Sequence, residues 1–364
     1  MALTVYNDDK RRIKVEAMPE HSHKKEQRQV TIYDVARESG VSYSTVSRVL
    51  NGFAYVKETT RETVLSTAER LGYVANLKAR SLAGGRSNVI GLLVPSLDNG
   101  YVGQIILGID EELAKANYDL MLYTTHHRTG KESSYINAIA NGLTDGLILV
   151  VPSIPNDYLD VLFNHRIPLV SIDRAENAKE STVVDATNRK GAYEIVSYLL
   201  ELGHRRIGMI TGFLDIASAR ERLESYRLAL SDNDIPIDEN LIVKGDFTEK
   251  SGFQCMNALL NLPLEQRPTA VFASNDLMAL GAMEAIRSAG LGIPQDISVV
   301  GFDDIAQAAY THPKLTTVRL PLDQMGRTAV QLLLEHIANP EQEPRHITLN
   351  TQIIMRESCR RISS

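Results

Sequence analysis

A small all-helical unit followed by a core of two α/β lobes, each a doubly wound parallel sheet, is the fold class this sequence predicts. Three observations predict it. From Asn88 onward, short apolar runs bounded by turn residues alternate with amphipathic stretches, the pattern of parallel strands covered by helices on both faces. That pattern begins near residue 89 and restarts near 206, so two similar lobes follow, with a ligand cleft between them at the strand carboxyl ends. Ahead of residue 88 the apolar residues recur only at helical spacing, which gives helices without strands.

Residues 1–29 are polar and charged with little periodicity and read as a disordered arm. The texture changes at Val30. Thr31 with Asp34 three residues on marks a helix start, Ile32, Val35 and Ala36 share a face, and Gly40 stops the helix. A second short helix runs Tyr43–Leu50 behind an N-capping Ser42, with Val46, Val49 and Leu50 inward and Tyr43, Ser44, Ser47 and Arg48 outward. A third covers roughly Glu58–Leu71, carries Val64, Leu65, Ala68 and Leu71, and ends at Gly72. The tight turn between the first two helices makes this a helix-turn-helix unit. Residues 76–87 read as a linker, and Ala75–Leu82 at its start is a helix-capable stretch too short to hold a helix in water without a partner.

In the core, strands are expected at Val89–Pro95, Asp119–Thr124, Gly146–Pro152 and Pro168–Asp173, with helices near Gly103–Ala116 and Glu132–Asn141. After a helix at about Asn188–Leu202 the pattern restarts within Gly203–Gly212. A helix near Ala219–Ser231, strand Leu241–Lys244, helix Ser251–Leu260, strand Thr269–Ser274, helix Asp276–Ala289 and Ser298–Phe302 follow.

Composition narrows the function. With 364 residues, 43% hydrophobic and 23% charged, the chain is an ordinary globular protein of two or more domains. It has no apolar run long enough to span a bilayer and no secretory-type N-terminus, so the expected location is the cytoplasm. Cys255 and Cys359 read as small buried hydrophobes, and no metal or cofactor is expected. Residues 1–87 hold 15 Lys and Arg against 10 Asp and Glu, a net +5, whereas the remainder holds 24 against 35, a net −11. A basic front end on an acidic body fits a nucleic-acid reader joined to something else.

The sharpest motif is Val41-Ser-Tyr-Ser-Thr-Val-Ser-Arg-Val-Leu-Asn51, following Ile32-Tyr-Asp-Val-Ala36. A recognition helix entering the major groove needs side chains in its first turn that reach base edges, and small hydroxyls on its flanks for phosphates. Tyr43 and Ser44 occupy that first turn. Arg48 lies one turn on and can reach guanine O6 and N7. Ser42, Thr45, Ser47 and Asn51 suit the backbone.

Thr31–Asn51 resembles the helix-turn-helix of the lactose-repressor (LacI/GalR) family of bacterial regulators, and the resemblance extends over roughly residues 30–360. It is carried further by Leu71-Gly-Tyr73, the Ala-Arg-Ser-Leu82 hinge, Gly203-His-Arg-Arg-Ile207, Ser274-Asn-Asp-Leu-Met-Ala-Leu-Gly281 and Val300-Gly-Phe-Asp-Asp304. It implies a DNA-binding domain at 30–75, a hinge helix at 76–87 and a periplasmic-binding-protein-like core at 88–364. Lobe 1 is then about 88–187 and 319–342, and lobe 2 about 188–318 and 343–364. It implies that Leu82, with Ala79 beside it, enters the minor groove as an apolar wedge, and it adds Thr31, Tyr55 and Lys57 to the DNA-facing set. In the core it implies a small effector held by Asn99, Tyr101, Asp173, Arg222, Phe247, Asn275 and Asp303. Carboxylates, an amide and a guanidinium suit the hydroxyls of a mono- or oligosaccharide, and aromatic rings suit its flat faces. The partners implied are a near-palindromic operator, the effector and a second copy of the chain, without a membrane.

Two departures stand out. Thr187-Asn188-Arg189-Lys190-Gly191 replaces the family's Asp-Asn-x-x-Gly, and Asn99-Gly-Tyr-Val102 lacks one aromatic of the family's loop. Tryptophan is absent, so stacking falls to Tyr or Phe. Competing readings are a solute-binding protein, which would need an export signal and no helical front end, and an enzyme, for which no P-loop, GxSxG, HExxH or paired cysteines are found. His126 and His127 are adjacent and have no evident carboxylate partner, so a solvated loop is expected there. A nucleobase, nucleoside or phosphoprotein effector on the same fold stays open.

Overall fold

A computed structural model of the chain describes residues 30–50, 55–73, 86–97, 100–124, 143–150, 167–173 and 181–362. The arm, Asn51, the hinge with Ala79 and Leu82, Asn99, His126 with His127, and the helix expected near Glu132–Asn141 lie outside the described residues. The chain divides into two compact units between Asn76 and Leu77.

The first unit holds α1 (Ile32–Ser39), α2 (Tyr43–Leu50) and α3 (Glu58–Leu71). Thr31 and Asp34 form a reciprocal capping box at the start of α1, which satisfies orphan N–H groups that a helix start otherwise leaves to water. Gly40 ends α1 at φ 69°, a left-handed conformation that glycine enters without steric cost. Val35, Val46, Val49, Val64 and Ala68 are buried together and form the core. Leu65 is 47% exposed; its neighbour Val64 takes the inward position instead.

The second unit has two parallel sheets. The first contains β1 (Val89–Val94), β2 (Asp119–Thr124), β3 (Gly146–Val150), β4 (Leu169–Ile172), β5 (Thr182–Ala186) and β11 (His346–Leu349), in the order β11-β5-β4-β3-β1-β2. Every residue of β1, β3, β4 and β5 is buried, as strands covered on both faces must be. Helices α4 (Gly100–Lys115) and α9 (Leu322–Ala338) pack on each other, and α9 lies on β3, β4 and β5. The second sheet, in the order β7-β6-β8-β9, contains β6 (Ile207–Thr211), β7 (Ile242–Lys244), β8 (Ala270–Ala273) and β9 (Ser298–Val300). It is flanked by the helix pairs α5 (Asn188–Glu201) with α6 (Ala217–Ser231) and α7 (Glu249–Leu260) with α8 (Asp276–Ser288). In each sheet the chain first steps outward on one side (β1 to β2, β6 to β7) and then continues on the other. The order therefore reverses beside β1 and beside β6, the switch points where such sheets bind ligands.

One boundary differs from the sequence expectation. Residues 343–364 do not all join the second lobe, because β11 pairs in parallel with β5, His346 opposite Val183, and closes an edge that would otherwise expose unpaired backbone groups. The chain then crosses back, and β12 (Gln352–Ile354) pairs antiparallel with β10 (Thr317–Arg319). Three segments thus cross between the lobes: β5 to α5, β10 to α9, and β11 to β12. Two are tied by hydroxyls, since Thr187 Oγ1 lies 2.9 Å from Thr351 Oγ1 and accepts the Thr351 N–H at 2.9 Å. Thr187, where the family carries an acid, serves this crossing.

Candidate functional site

Each unit presents a candidate surface. On the first, the start of α2 carries the predicted polar face. Ser42 accepts the Thr45 N–H at 3.2 Å, and its hydroxyl lies 2.9 Å from those of both Ser44 and Thr45. This places three small hydroxyls at a helix N-terminus, an arrangement suited to phosphate oxygens. Tyr43, Ser44 and Arg48 are exposed, and Thr45 and Ser47 are half-buried. Tyr55 is 99% exposed, and Lys57 is exposed just before α3. Sequence reasoning missed Tyr33. Its ring, 67% exposed, stacks on Tyr43 with centroids 5.0 Å apart and planes 18° apart. A tyrosine on the outer side of α1 next to inward Ile32 is the signal that could have found it. Thr31, placed among the DNA-facing residues, is exposed at the start of α1 with its hydroxyl in the capping box.

On the second unit, a cleft with an empty volume of about 680 Å³, part of it open to solvent, lies at the carboxyl ends of the strands. Six of the seven expected effector residues line it: Tyr101, Asp173, Arg222, Phe247, Asn275 and Asp303. They come from the first turn of α4, the ends of β4 and β8, the middle of α6, and the loops after β7 and β9.

Arg222 is the centre of the polar wall. It is 3% exposed, donates from Nη1 to the Ser274 carbonyl at 2.5 Å and from Nε and Nη2 to Asn188 Oδ1 at 3.2 and 2.9 Å, and lies 3.9 Å over the Phe302 ring. Its Nη1 is 3.7 Å from Asp303 Oδ1, too far for a hydrogen bond, and that buried oxygen has no hydrogen-bond partner within the protein. Burial pushes the Asp303 carboxyl up to about 7, against the pull of Arg222 and with added repulsion from Asp173. Asp173 accepts a 2.8 Å hydrogen bond from Ser218. Burial first, then Asp173 and Asp303, raise the Tyr101 phenol, so it stays a protonated donor.

The apolar wall is aromatic. Phe247 meets Phe213 edge-on with centroids 6.3 Å apart, and its ring lies where a side chain at Gly212 would stand, 2.0 Å from an added Cβ. Asn275 contributes less than its position suggests. Its carbonyl oxygen caps α8 by accepting the Met278 N–H at 3.0 Å, and its amide donates to the Phe247 carbonyl at 3.0 Å. Asp173, Phe247 and Asp303 all have positive φ, at 66°, 68° and 113°. Such conformations cost about 1–3 kcal/mol each and collect at ligand sites. Sequence reasoning missed Phe213, Ile216 and Ser218, which also line the cleft. Ser218 lies four residues before Arg222 and therefore on the same helix face, which is a usable signal.

Known proteins match both units. Residues 31–76 fit the family described as "Bacterial regulatory proteins, lacI family", and residues 196–359 fit a "Periplasmic binding protein-like domain". The "Probable HTH-type transcriptional repressor ExuR" of Bacillus subtilis (strain 168) is 38% identical over 340 residues, covering 92% of this chain and all of that protein. The chain belongs to the LacI family of bacterial regulatory proteins. Another LacI-family relative, the "HTH-type transcriptional repressor PurR" of Escherichia coli O139:H28 (strain E24377A / ETEC), is 36% identical over 330 residues, 90% of this chain and 96% of the relative. Among solved structures, the lac repressor dimer bound to operator and the anti-inducer ONPF superposes with a TM-score of 0.77 at 32% identity, covering 91% of this chain and 99% of that one. A transcriptional regulator CelR–cellobiose complex superposes at 0.70 with 32% identity, covering 90% and 99%. This LacI-family chain is accordingly a transcriptional repressor, a regulator rather than an enzyme. Among the described residues no helix is long and apolar enough to cross a membrane.

Proposed function

We propose that this repressor binds a near-palindromic operator as a cytoplasmic homodimer and is controlled by a carbohydrate held in the cleft of the core. The cleft chemistry carries the reading. Asp173, Arg222 and Asp303 offer charged acceptors and a donor to hydroxyls, and Phe247, Phe213 and Tyr101 offer rings to an apolar sugar face. That one LacI-family neighbour is a cellobiose complex and another has bound ribose supports the same class. On the DNA side, Tyr43, Ser44 and Arg48 read bases, while Ser42, Thr45, Ser47, Asn51, Tyr55 and Lys57 meet the backbone. Ala79 and Leu82 in the hinge wedge the central step. Effector closing the cleft changes operator affinity through the dimer, a coupling of typically ~1–3 kcal/mol.

A thermal-shift screen of the full chain against mono- and oligosaccharides, with a nucleobase panel alongside, tests the effector class. A shift with carbohydrates supports the proposal because ligand stabilises the folded core by mass action. A shift with nucleobases alone replaces the carbohydrate, a class kept open by the relative named PurR. Gel-shift titration on a palindromic site with the hit then reads the coupling. A fall in operator affinity marks an inducer, a rise marks a corepressor, and no change from any hit sinks the allosteric half of the proposal.

A further inference from the structure

A buried guanidinium beside a buried carboxylate ordinarily closes into a charge-assisted pair with N to O distances of about 2.7–2.9 Å. Arg222 and Asp303 do not. Both are buried, they stand 3.7 Å apart, and Asp303 Oδ1 has no hydrogen-bond partner within the protein. The guanidinium is held elsewhere, by the Ser274 carbonyl, by the Phe302 ring beneath it and by Asn188.

Asn188 is 4% exposed and uses both ends of its amide. Its oxygen accepts from Nε and Nη2 of Arg222, and its nitrogen faces Asp185 Oδ1 and the Ala186 carbonyl, each at 3.4 Å. Asp185 and Ala186 end β5 in the first lobe, whereas Arg222 lies on α6 in the second. One side chain therefore links the first lobe to the central cation of the second.

We propose that Asn188 is a positioning residue of the effector site, holding the Arg222 guanidinium off Asp303 so that a ligand hydroxyl, rather than the protein's own cation, completes the Asp303 carboxylate. The proposal rests on the cleft being the effector site. A hydroxyl both donates and accepts, so it bridges an acceptor and a donor that the fold keeps apart. A ligand without a donor at that point leaves Asp303 unpaired, which is costly in a buried site.

The test is the titration of Asp303 in the ligand-free full-length protein, followed by 13C NMR of the aspartate carboxyls and assigned with Asp303→Asn. The groups that face Asp303 are Tyr101 from α4, Asp173 from the end of β4, Arg222 from α6, Asp276 from α8 and its neighbour Asp304, held by Arg319 and Arg356. Wild type titrates near neutral pH. In Asn188→Ala the guanidinium, freed at Nε and Nη2, turns onto Asp303 and the midpoint falls by about one unit or more. In Asn188→Asp the acceptor is retained and the midpoint does not fall. An unchanged midpoint in Asn188→Ala, or an equal fall in both variants, overturns the proposal. If Asn188→Ala does not fold, the 15Nε–H signal of Arg222 in wild type decides. Slow exchange supports the Asn188 bond, and exchange as fast as that of exposed arginines overturns it. Neither measurement uses an effector, so their failure leaves the effector reading standing. That reading fails instead if Arg222→Ala keeps the wild-type thermal shift with a carbohydrate.

Discussion

The polar face of α2 comes from one eight-residue helix and stands open to solvent, whereas the cleft gathers side chains from loops and helices of both lobes and buries most of them. At α2 the hydroxyls bond mainly to their own neighbours, at 2.9–3.2 Å, so losing one side chain costs little beyond its own contact. In the cleft three polar groups lean on residues far along the chain: Ser218 on Asp173, Arg222 on Asn188, Asn275 on Phe247. An exposed reading face can change its specificity residue by residue. A buried, cross-linked one couples binding to stability.

Substitutions can break or sharpen this contrast. The largest expected effect is at Arg222→Ala, which leaves the buried Ser274 carbonyl and Asn188 amide oxygen without their donor; each buried polar group left unsatisfied typically costs about 1–3 kcal/mol, measurable as a lower urea midpoint for the core. A midpoint within error of wild type would show that the cleft is no more coupled than α2. Next, Arg48→Ala should relax preference at one operator base pair by about 1–3 kcal/mol without moving the thermal transition, read by competition gel shifts on single-base operator variants. If it unfolds the first unit instead, the face is structural.

Third comes pH. Asp303 and Asp276 are both raised, mainly by burial, so between the unfolded carboxylate range and the folded midpoint the folded state binds more protons than the unfolded one. Their contribution is then fully present near pH 4 and is lost as pH rises through about 7 for Asp303, at up to about 1.4 kcal/mol per pH unit per proton. Asp303→Asn should flatten that slope in chemical denaturation across this window, and an unchanged slope would contradict the assignment. Fourth, Thr31→Ala removes half of a capping box and should cost about 1 kcal/mol in the melting of the first unit. The smallest effect is Lys57→Ala, expected to weaken all DNA sequences alike and to lower the salt slope by about one.

The same contrast explains what was legible in the sequence. Tyr43–Leu50 and Glu58–Leu71 are read with the bounds the structure gives, because caps, glycines and a 3.6-residue period are local signals. The strands β1, β2, β6 and β8 are legible as short apolar runs bounded by turn residues, also a local signal. Helix α9, the short strands β5 and β10, and the switch of β11 into the first sheet are not. Each is three to five residues of strand, or a helix whose partner lies some two hundred positions earlier, and their assignment depends on which edge they complete. In the cleft, Asp173, Arg222 and Asp303 could be placed through the family resemblance. Asn188 could not be given its role, since that depends on Arg222 arriving from another helix.

The three crossings between the lobes have a mechanical consequence. Strands that pass side by side, two of them fastened by Thr187 and Thr351, bend readily about the line they share but resist twist and slip. If the cleft is the effector site, this geometry favours opening and closing about that line, so chemically different ligands would drive the same motion with different amplitude.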